Sequence, residues 1–365
     1  MSPRKKISSS PSISASAAQW LDQRINSFCV AVTNAIFTSH PELDQKYGQA
    51  GRQKCEQDTA YHLHYLAEAV LIDSEAMFND YAGWAKVMLF ARGIAPADLM
   101  WNLRTIGEVL TSNAPPNLRR TFARFINSAC TALASKPSTL PSFIKSQYPL
   151  ATMANSYLNS LLILDRETAF STAMQALEKG LSITKFLEEV IYPVQQEVGR
   201  LWQENRISVL QEHYCTAATD LLLARLQQKY RGVPRSVKAL AVCVDGEEHC
   251  LGLKMFSDLL ESDGWKVAYI GPKCPTGDVL RHVRDSTPDL VAISVATPLN
   301  LAKARDLTLR IKSLPLKEHP FVIAGGGAFT GDTELWKSLG ADGGARNISE
   351  GLALANRLVE SATRH

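Results

Sequence analysis

Apolar residues in the first third of the chain recur at the spacing of an amphipathic α-helix. A helix brings positions three and four residues apart onto one face, so each such run predicts one helix with a buried side. The runs with this spacing cover residues 21–36, 61–70, 81–90, 99–110 and 122–133. Residues that interrupt helices separate them, namely His40-Pro41, Gly93 and Pro115-Pro116. The pattern therefore predicts an all-helical domain over residues 17–135.

A segment with several Pro and Ser residues, 136–148, follows this region and is predicted to be a linker. Residues 149–233 then contain further helical runs. These runs break near Asp165, Gly180 and Asn205. Ser208 and Gln211 have the spacing of a capping box, in which each side chain satisfies a free amide at a helix start. Short helices joined by short loops predict a small antiparallel four-helix bundle.

From residue 234 the helical spacing gives way to short apolar runs that alternate with helical ones. The short runs are residues 237–244, 266–270, 290–296, 321–324 and, more weakly, 343–345. Five β/α units in succession predict a parallel, doubly wound sheet of the flavodoxin-like order. The predicted fold class is therefore multidomain, α and α/β, with the α/β domain over residues 234–365.

The composition is that of an ordinary globular protein, with 45% hydrophobic and 21% charged residues. A net charge of +3 argues against a nucleic-acid partner, and no run reaches the ~20 apolar residues of a membrane span. The seven cysteines are scattered without CxxC spacing, which indicates reduced thiols in a cytoplasmic protein and no zinc site. Residues 1–16 are Ser-rich without an apolar stretch, so we expect a disordered tail there.

The candidate chemistry lies at the ends of three predicted strands. Glu247-Glu248-His249-Cys250-Leu251-Gly252 follows the first, Ser294 lies in the third, and Gly325-Gly326 closes the fourth. Forty-one residues separate Gly252 from Ser294, and 28 separate Ala296 from Gly325. Because open α/β sheets bind ligands at the carboxyl ends of their strands, these elements are predicted to meet in one site.

These three elements resemble the cobalamin-binding signature, which consists of a D-x-H-x-x-G loop, an S-x-L/T strand end and a Gly-Gly turn. The resemblance implies that His249 binds cobalt from the lower face, in place of the cofactor's own benzimidazole. Glu247 stands where the family usually has Asp, and it would accept the other ring N–H. The resemblance also implies a slot for the nucleotide tail, lined by Gly252, Ser294, Gly325 and Gly326. The alternative is a loop histidine with glycines in ordinary turns.

The predicted bundle carries Trp202, nine further residues and then Glu212-His213. This pattern resembles light-sensing adenosylcobalamin regulators, in which the Trp packs on the 5′-deoxyadenosyl group and the Glu and His flank it. An aromatic ring can stack on adenine, and Glu with His can hydrogen-bond the ribose and the base. Those regulators have a cobalt-binding His directly after the Trp, whereas this chain has Gln203, which leaves His213 or water for that role. The alternative is a buried Trp and an ordinary helical Glu-His pair.

A second resemblance lies in residues 51–70, GRQKCEQDTAYHLHYLAEAV. They are similar to the central helix of phycobiliproteins, whose C-x-R-D-x-x-Y-x-L pattern holds a linear tetrapyrrole. Cys55 matches the thioether Cys and Asp58 the Asp that binds the pyrrole N–H groups, while Gln57 replaces the usual Arg. Cys55, Asp58 and His62 share one helical face. The alternative is a globin-like domain used for packing alone.

The two resemblances together are those of photocobilins, photoreceptors that pair a B12 domain with a globin- or phycobiliprotein-like domain that binds biliverdin. The hypothesis is a non-catalytic light sensor that binds adenosylcobalamin and biliverdin and signals through a separate output protein. It would form a homo-oligomer whose assembly depends on light. The rivals are a corrinoid methyl carrier of a methyltransferase system and a light-independent, cobalamin-binding transcription modulator. No helix-turn-helix segment for direct DNA binding is recognisable.

Overall fold

The computed structural model describes residues 12–330 and 334–363. The chain divides into two compact units between Ser138 and Thr139. Of the tail expected over residues 1–16, residues 1–11 lie outside the described ranges. The rest of that expectation was wrong, because helix α1 (Ile13–Asp22) already begins there. Its start is fixed by Ser12, whose hydroxyl accepts a hydrogen bond from the Ala15 N–H at 3.1 Å.

The described part of the first unit is helical, which confirms the prediction for this region. The helices after α1 are α2 (Ile25–Ser39), α3 (Glu42–Ile72), α4 (Glu75–Phe90), α5 (Pro96–Asn113) and α6 (Pro116–Ser135). Helix α3 is interrupted at Gly48, where a φ of 60° lies outside the helical range. No helix in the described ranges is long and apolar enough to cross a membrane.

The core of the first unit buries a polar pair among apolar side chains. His62 is 3% exposed, and its Nδ1 lies 2.7 Å from the Tyr81 hydroxyl. Burial lowers the pKa of His62 to about 4, so its imidazole is neutral at pH 7. Tyr81 in turn stacks on Tyr65, with ring centroids 3.7 Å apart. The pair therefore belongs to the packed interior, where a lost partner would leave a polar group unsatisfied.

The helical part of the second unit contains α7 (Ala151–Leu162), α8 (Arg166–Glu178), a composite third segment and α11 (Val209–Lys229). The third segment runs from α9 (Ile183–Phe186) through a π-helix (Leu187–Ile191) into α10 (Tyr192–Gln203). The sequence pattern did not predict this wide turn. Pro193 accounts for it in part, because proline cannot donate the regular hydrogen bond to the carbonyl four residues earlier.

Within the described residues, the α/β part contains one parallel sheet in the order β2-β1-β3-β4-β5, as predicted. Its strands are β1 (Lys238–Cys243), β2 (Lys266–Gly271), β3 (Leu290–Ser294), β4 (Phe321–Gly325) and β5 (Gly343–Ala345). The helices are α12 (Leu251–Ser262), α13 (Thr276–Ser286), α14 (Leu301–Lys312), α15 (Leu335–Ser338) and α16 (Ile348–Thr363). The order changes direction between β1 and β3, which is where such sheets bind ligands.

The bundle packs on the α/β part through α12 and α16. Met255 of α12 belongs to the apolar core of the bundle, and Leu251 and Ile348 pack against that core. Glu188 of the π-helix accepts a hydrogen bond from the Ser349 N–H at 3.0 Å, near the start of α16. Since α12 starts two residues after His249, these contacts hold the bundle beside the predicted site.

We expect Tyr81→Phe to lower the free energy of unfolding of the first unit by about 1–2 kcal/mol, because it leaves buried His62 without its partner. Thermal and urea unfolding of the full chain would measure this. Tyr61→Phe is the matched control, since Tyr61 is 60% exposed. Equal unfolding transitions for the two variants would contradict a contribution from the buried pair.

Candidate functional site

The loop between β1 and α12 is held by a buried carboxylate. Glu247 is 1% exposed. One carboxylate oxygen accepts from the N–H groups of Glu248 (3.1 Å) and His249 (3.0 Å) and lies 2.8 Å from His249 Nδ1. The other oxygen accepts from Ala296 N, Thr297 N, Thr297 Oγ1 and Asn300 Nδ2, all at 3.0–3.1 Å. A single side chain thus joins the loop after β1 to the loop after β3.

The ionisation of Glu247 follows from these contacts. Burial alone would raise its pKa, but the hydrogen bonds from His249, the Thr297 N–H and Asn300 lower it to about 2. The carboxylate is therefore ionised at neutral pH and can only accept hydrogen bonds. Nδ1 of His249 must then donate to it, and in the neutral imidazole this leaves Nε2 with a free lone pair.

The His249 side chain is 68% exposed, although its backbone is anchored. Its pKa is raised, mainly by the hydrogen bond to Glu247 and further by the charge of Glu212. A neutral imidazole with a carboxylate behind it is a basic ligand with a fixed orientation, as a transition metal prefers. The longer Glu fulfils the contact expected of the usual Asp.

The ends of β3 and β4 form a surface with little side-chain bulk. Ser294 pairs in register with Cys243 on one side and with Gly325 on the other. Gly326 has a φ of +116°, and a Cβ there would lie 2.4 Å from the Val295 carbonyl oxygen. The chain therefore needs glycine to turn this closely over β3. Ser294 and these glycines adjoin the Glu247 contacts, as the spacing predicted.

Gly252 behaves differently from Gly326. It is the second residue of α12, and a Cβ built there meets no protein atom within 4 Å. Packing within the protein therefore does not account for glycine at this position.

The bundle contributes a second group of side chains at the ends of α10 and α11. Trp202 is half-buried against the bundle core. Glu212 lies in the first turn of α11, accepts from Thr216 Oγ1 at 3.2 Å and pairs with Nδ1 of His213 at 2.5 Å. The charge of Glu212 contributes to the raised pKa of His249, so Glu212 lies on the side of the bundle near the loop after β1. Gln203 is only 4% exposed, so its side chain lies in the interior.

The candidate bilin residues in the first unit do not form one open site. The Cys55 thiol accepts from Thr33 Oγ1 at 3.9 Å and from Asn102 Nδ2 at 3.6 Å. Burial raises the pKa of Cys55 and also that of Asp58. His62 shares the inward side of α3 with them, as predicted, but its imidazole is already paired in the core with Tyr81.

Sequence analysis missed Thr297 and Asn300, which supply three of the hydrogen bonds to Glu247. It also missed Lys303, which donates to the Asp245 carbonyl at 2.9 Å and supports the same loop. The available signal was position, because Thr297 and Asn300 follow Ser294 by three and six residues at the carboxyl edge of the sheet.

Comparison with known proteins agrees with this geometry. Residues 237–353 and residues 153–227 each match a family described as "B12 binding domain". Dimethylamine corrinoid protein 3 of Methanosarcina acetivorans is 31% identical over 191 residues, which are 51% of this chain and 82% of that protein. The HTH-type transcriptional repressor CarH of Myxococcus xanthus is 27% identical over 160 residues, covering 43% of this chain and 52% of CarH.

Among solved structures, the monomethylamine corrinoid protein of Methanosarcina barkeri has the same fold over 57% of this chain and 99% of its own. The TM-score is 0.51 at 16% identity. Fold and site together define a corrinoid-binding protein. The chain belongs to the family of B12-binding proteins. Its residues fit the cofactor, because an oriented imidazole and close glycine backbone lie at the carboxyl edge of the sheet.

We expect Gly252→Ala to weaken cobalamin binding about tenfold or more, which corresponds to roughly 1.4 kcal/mol, while leaving the apo protein as stable or slightly more so. The added methyl meets no protein atom, so only a bound ligand can be obstructed. Gly277→Ala is the matched control, since Gly277 is also the second residue of its helix and has open space around it. Spectroscopic titration with hydroxocobalamin would measure the affinities. Equal affinity in both variants would contradict the assignment of Gly252 to the slot for the nucleotide tail.

Proposed function

We propose that this protein is a non-catalytic, cytoplasmic light sensor that binds adenosylcobalamin with His249 as the lower cobalt ligand. The observation that carries the proposal is the group Trp202, Glu212 and His213 on the bundle, with Glu212 close enough to raise the pKa of His249. A methyl group above the cobalt would need no aromatic ring and no paired hydrogen-bonding side chains. An adenosyl group uses both.

When bound, adenosylcobalamin would supply a cobalt–carbon bond that visible light breaks. Trp202 would hold the adenine by stacking, and Glu212 and His213 would hydrogen-bond the ribose and the base. Once that group has gone, the exposed face of Trp202 and the first turn of α11 lose these contacts. The bundle then favours a different packing, and a change in homo-oligomeric assembly carries the signal to a separate output protein.

The proposal includes biliverdin in the first unit. Asp58 is half-buried with a raised pKa, and it would face the pyrrole N–H groups. The charge of Lys54 is near enough to oppose that rise in the pKa of Asp58. Burial raises the pKa of the Cys55 thiol, which disfavours the reactive thiolate. We therefore propose non-covalent binding. A domain used for packing alone is the alternative.

The second candidate is a corrinoid methyl carrier. The match to dimethylamine corrinoid protein 1 of Methanosarcina acetivorans favours it, because that match covers 95% of that protein at 24% identity. The match to CarH favours a third candidate, a light-independent, cobalamin-binding transcription modulator. Neither candidate requires biliverdin or a response to light.

The decisive experiment is an absorption spectrum of full-length protein produced with adenosylcobalamin and biliverdin, before and after green light, with light scattering on the same samples. A cobalamin band and a particle mass that both change in light would support the sensor, and a red-absorbing band would support biliverdin. A cobalamin band that does not change in light would contradict the sensor. Turnover of methylcobalamin with a methyltransferase would then support the carrier.

We expect Trp202→Ala to weaken binding of adenosylcobalamin roughly fivefold to tenfold, because stacking contributes about 1–1.4 kcal/mol. Hydroxocobalamin binding should be unchanged, since His249 and the slot are untouched. Trp202→Phe keeps an aromatic face and should recover most of the affinity. If Trp202→Ala bound both cobalamins like the unmodified protein, the upper-face assignment would be wrong.

A further inference from the structure

Helix α10 presents different residues on opposite sides near its end. Residues two apart on a helix point about 200° apart, so Arg200 and Trp202 face away from each other. Trp202 lies on the side of the proposed adenosyl site. Arg200 is 7% exposed and lies between two acidic residues of the same segment, Glu197 and Glu204.

These three side chains form a buried charge cluster. Arg200 donates to both oxygens of Glu197, from Nε at 3.0 Å and from Nη2 at 2.6 Å. It also donates from Nη1 to Glu204 at 2.7 Å. The Glu197 and Glu204 side chains are only 6% and 10% exposed. Two carboxylates face one guanidinium, so further donors are needed to satisfy the excess negative charge.

Residues 140–143, at the start of the second unit, supply those donors. The Leu140 N–H donates to Glu204 at 2.8 Å, and the Phe143 N–H donates to Glu197 at 2.9 Å. The Leu140 carbonyl accepts from Arg200 Nη1 at 3.3 Å. Burial alone would raise the pKa of Glu197, but the bonds from Arg200 and the Phe143 N–H outweigh it and lower that pKa. The backbone of residues 140–143 is therefore part of the cluster.

The chain just before residues 140–143 is also anchored, within the first unit, at residues 133–136. Lys86 Nζ donates to the carbonyls of Leu133 at 2.9 Å and Lys136 at 2.5 Å. Lys136 Nζ in turn pairs with Asp80 at 2.7 Å. Residues 137–139 lie between the two anchored stretches.

We propose that the Glu197–Arg200–Glu204 cluster couples the upper face of the cobalamin site to residues 140–143, which follow the boundary between the two units. The coupling rests on the proposed adenosyl site. A shift of α10 that changes the contacts of Trp202 must also strain or release the bonds to Leu140 and Phe143, because one helix carries both. Arg200 and Glu204 are thus positioning residues, and the ligand state of the site changes the hydrogen bonding of residues 140–143.

Amide hydrogen exchange in the full-length protein tests this without any substitution. The Leu140 and Phe143 amides should exchange about tenfold more slowly with adenosylcobalamin in the dark than with hydroxocobalamin. If the absorption spectra show that both cobalamins are bound and the amides still exchange at equal rates, the coupling is overturned and the light-sensor proposal is left intact. Failure to bind adenosylcobalamin at all would overturn both.

The variant Glu204→Gln keeps the shape of the side chain but removes the charge that strengthens the bond to Leu140. We expect the Leu140 amide to exchange faster in this variant. The preference for adenosylcobalamin over hydroxocobalamin should fall by a similar factor, since coupling is reciprocal. Arg206→Gln is the matched control, because Arg206 is 60% exposed, lies 3.9 Å from Glu204 and is not bonded to the segment. A variant with faster exchange but an unchanged ratio of affinities would reduce the cluster to a structural anchor and overturn the proposal.

Discussion

The cobalamin site depends on one buried ion, the Glu247 carboxylate. A charge removed from water is tolerated only where hydrogen bonds replace the lost solvation. Here backbone and side-chain donors from two loops surround both oxygens. The same contacts that stabilise the ion fix the tautomer of His249 and hold the loops after β1 and β3 at a constant separation. The ligand geometry and the local stability therefore have one physical cause.

Around this ion, the sheet and the bundle contribute in different ways. The register of β3 with β4 brings Ser294 beside Gly325, and the turn at Gly326 lies too close to β3 for any side chain. This half of the site is rigid because it consists of backbone and strand ends. The bundle half of the proposed site would consist of side chains on α10 and α11.

The separation of the site into a sheet half and a bundle half is consistent with the different kinds of protein that resemble this chain. The corrinoid proteins of Methanosarcina and the repressor CarH are both similar to this chain, and a braced imidazole at a sheet edge suits any corrinoid. What lies above the cobalt decides which upper group is held. In the proposed arrangement that surface would carry Trp202 with Glu212 and His213. The end of the helix that carries Trp202 is hydrogen-bonded to Leu140 through Glu204.

The amino-acid sequence indicated most of the helices and the five strands, because buried parallel strands and amphipathic helices leave distinct periodicities in the chain. The strand order followed from the alternation of strands and helices, which is typical of a doubly wound sheet. The sequence also placed His249 and the glycines at the carboxyl ends of strands, the edge at which such a sheet binds ligands. It could not supply the donors for Glu247, because Thr297 and Asn300 approach it only when β1 and β3 become neighbours. In the same way, the helical spacing grouped His62 with Cys55 and Asp58, but only tertiary packing decided that Tyr81 takes its ring nitrogen. Local pattern determines which face of an element is buried, whereas the partner of each buried polar group comes from segments distant in the sequence.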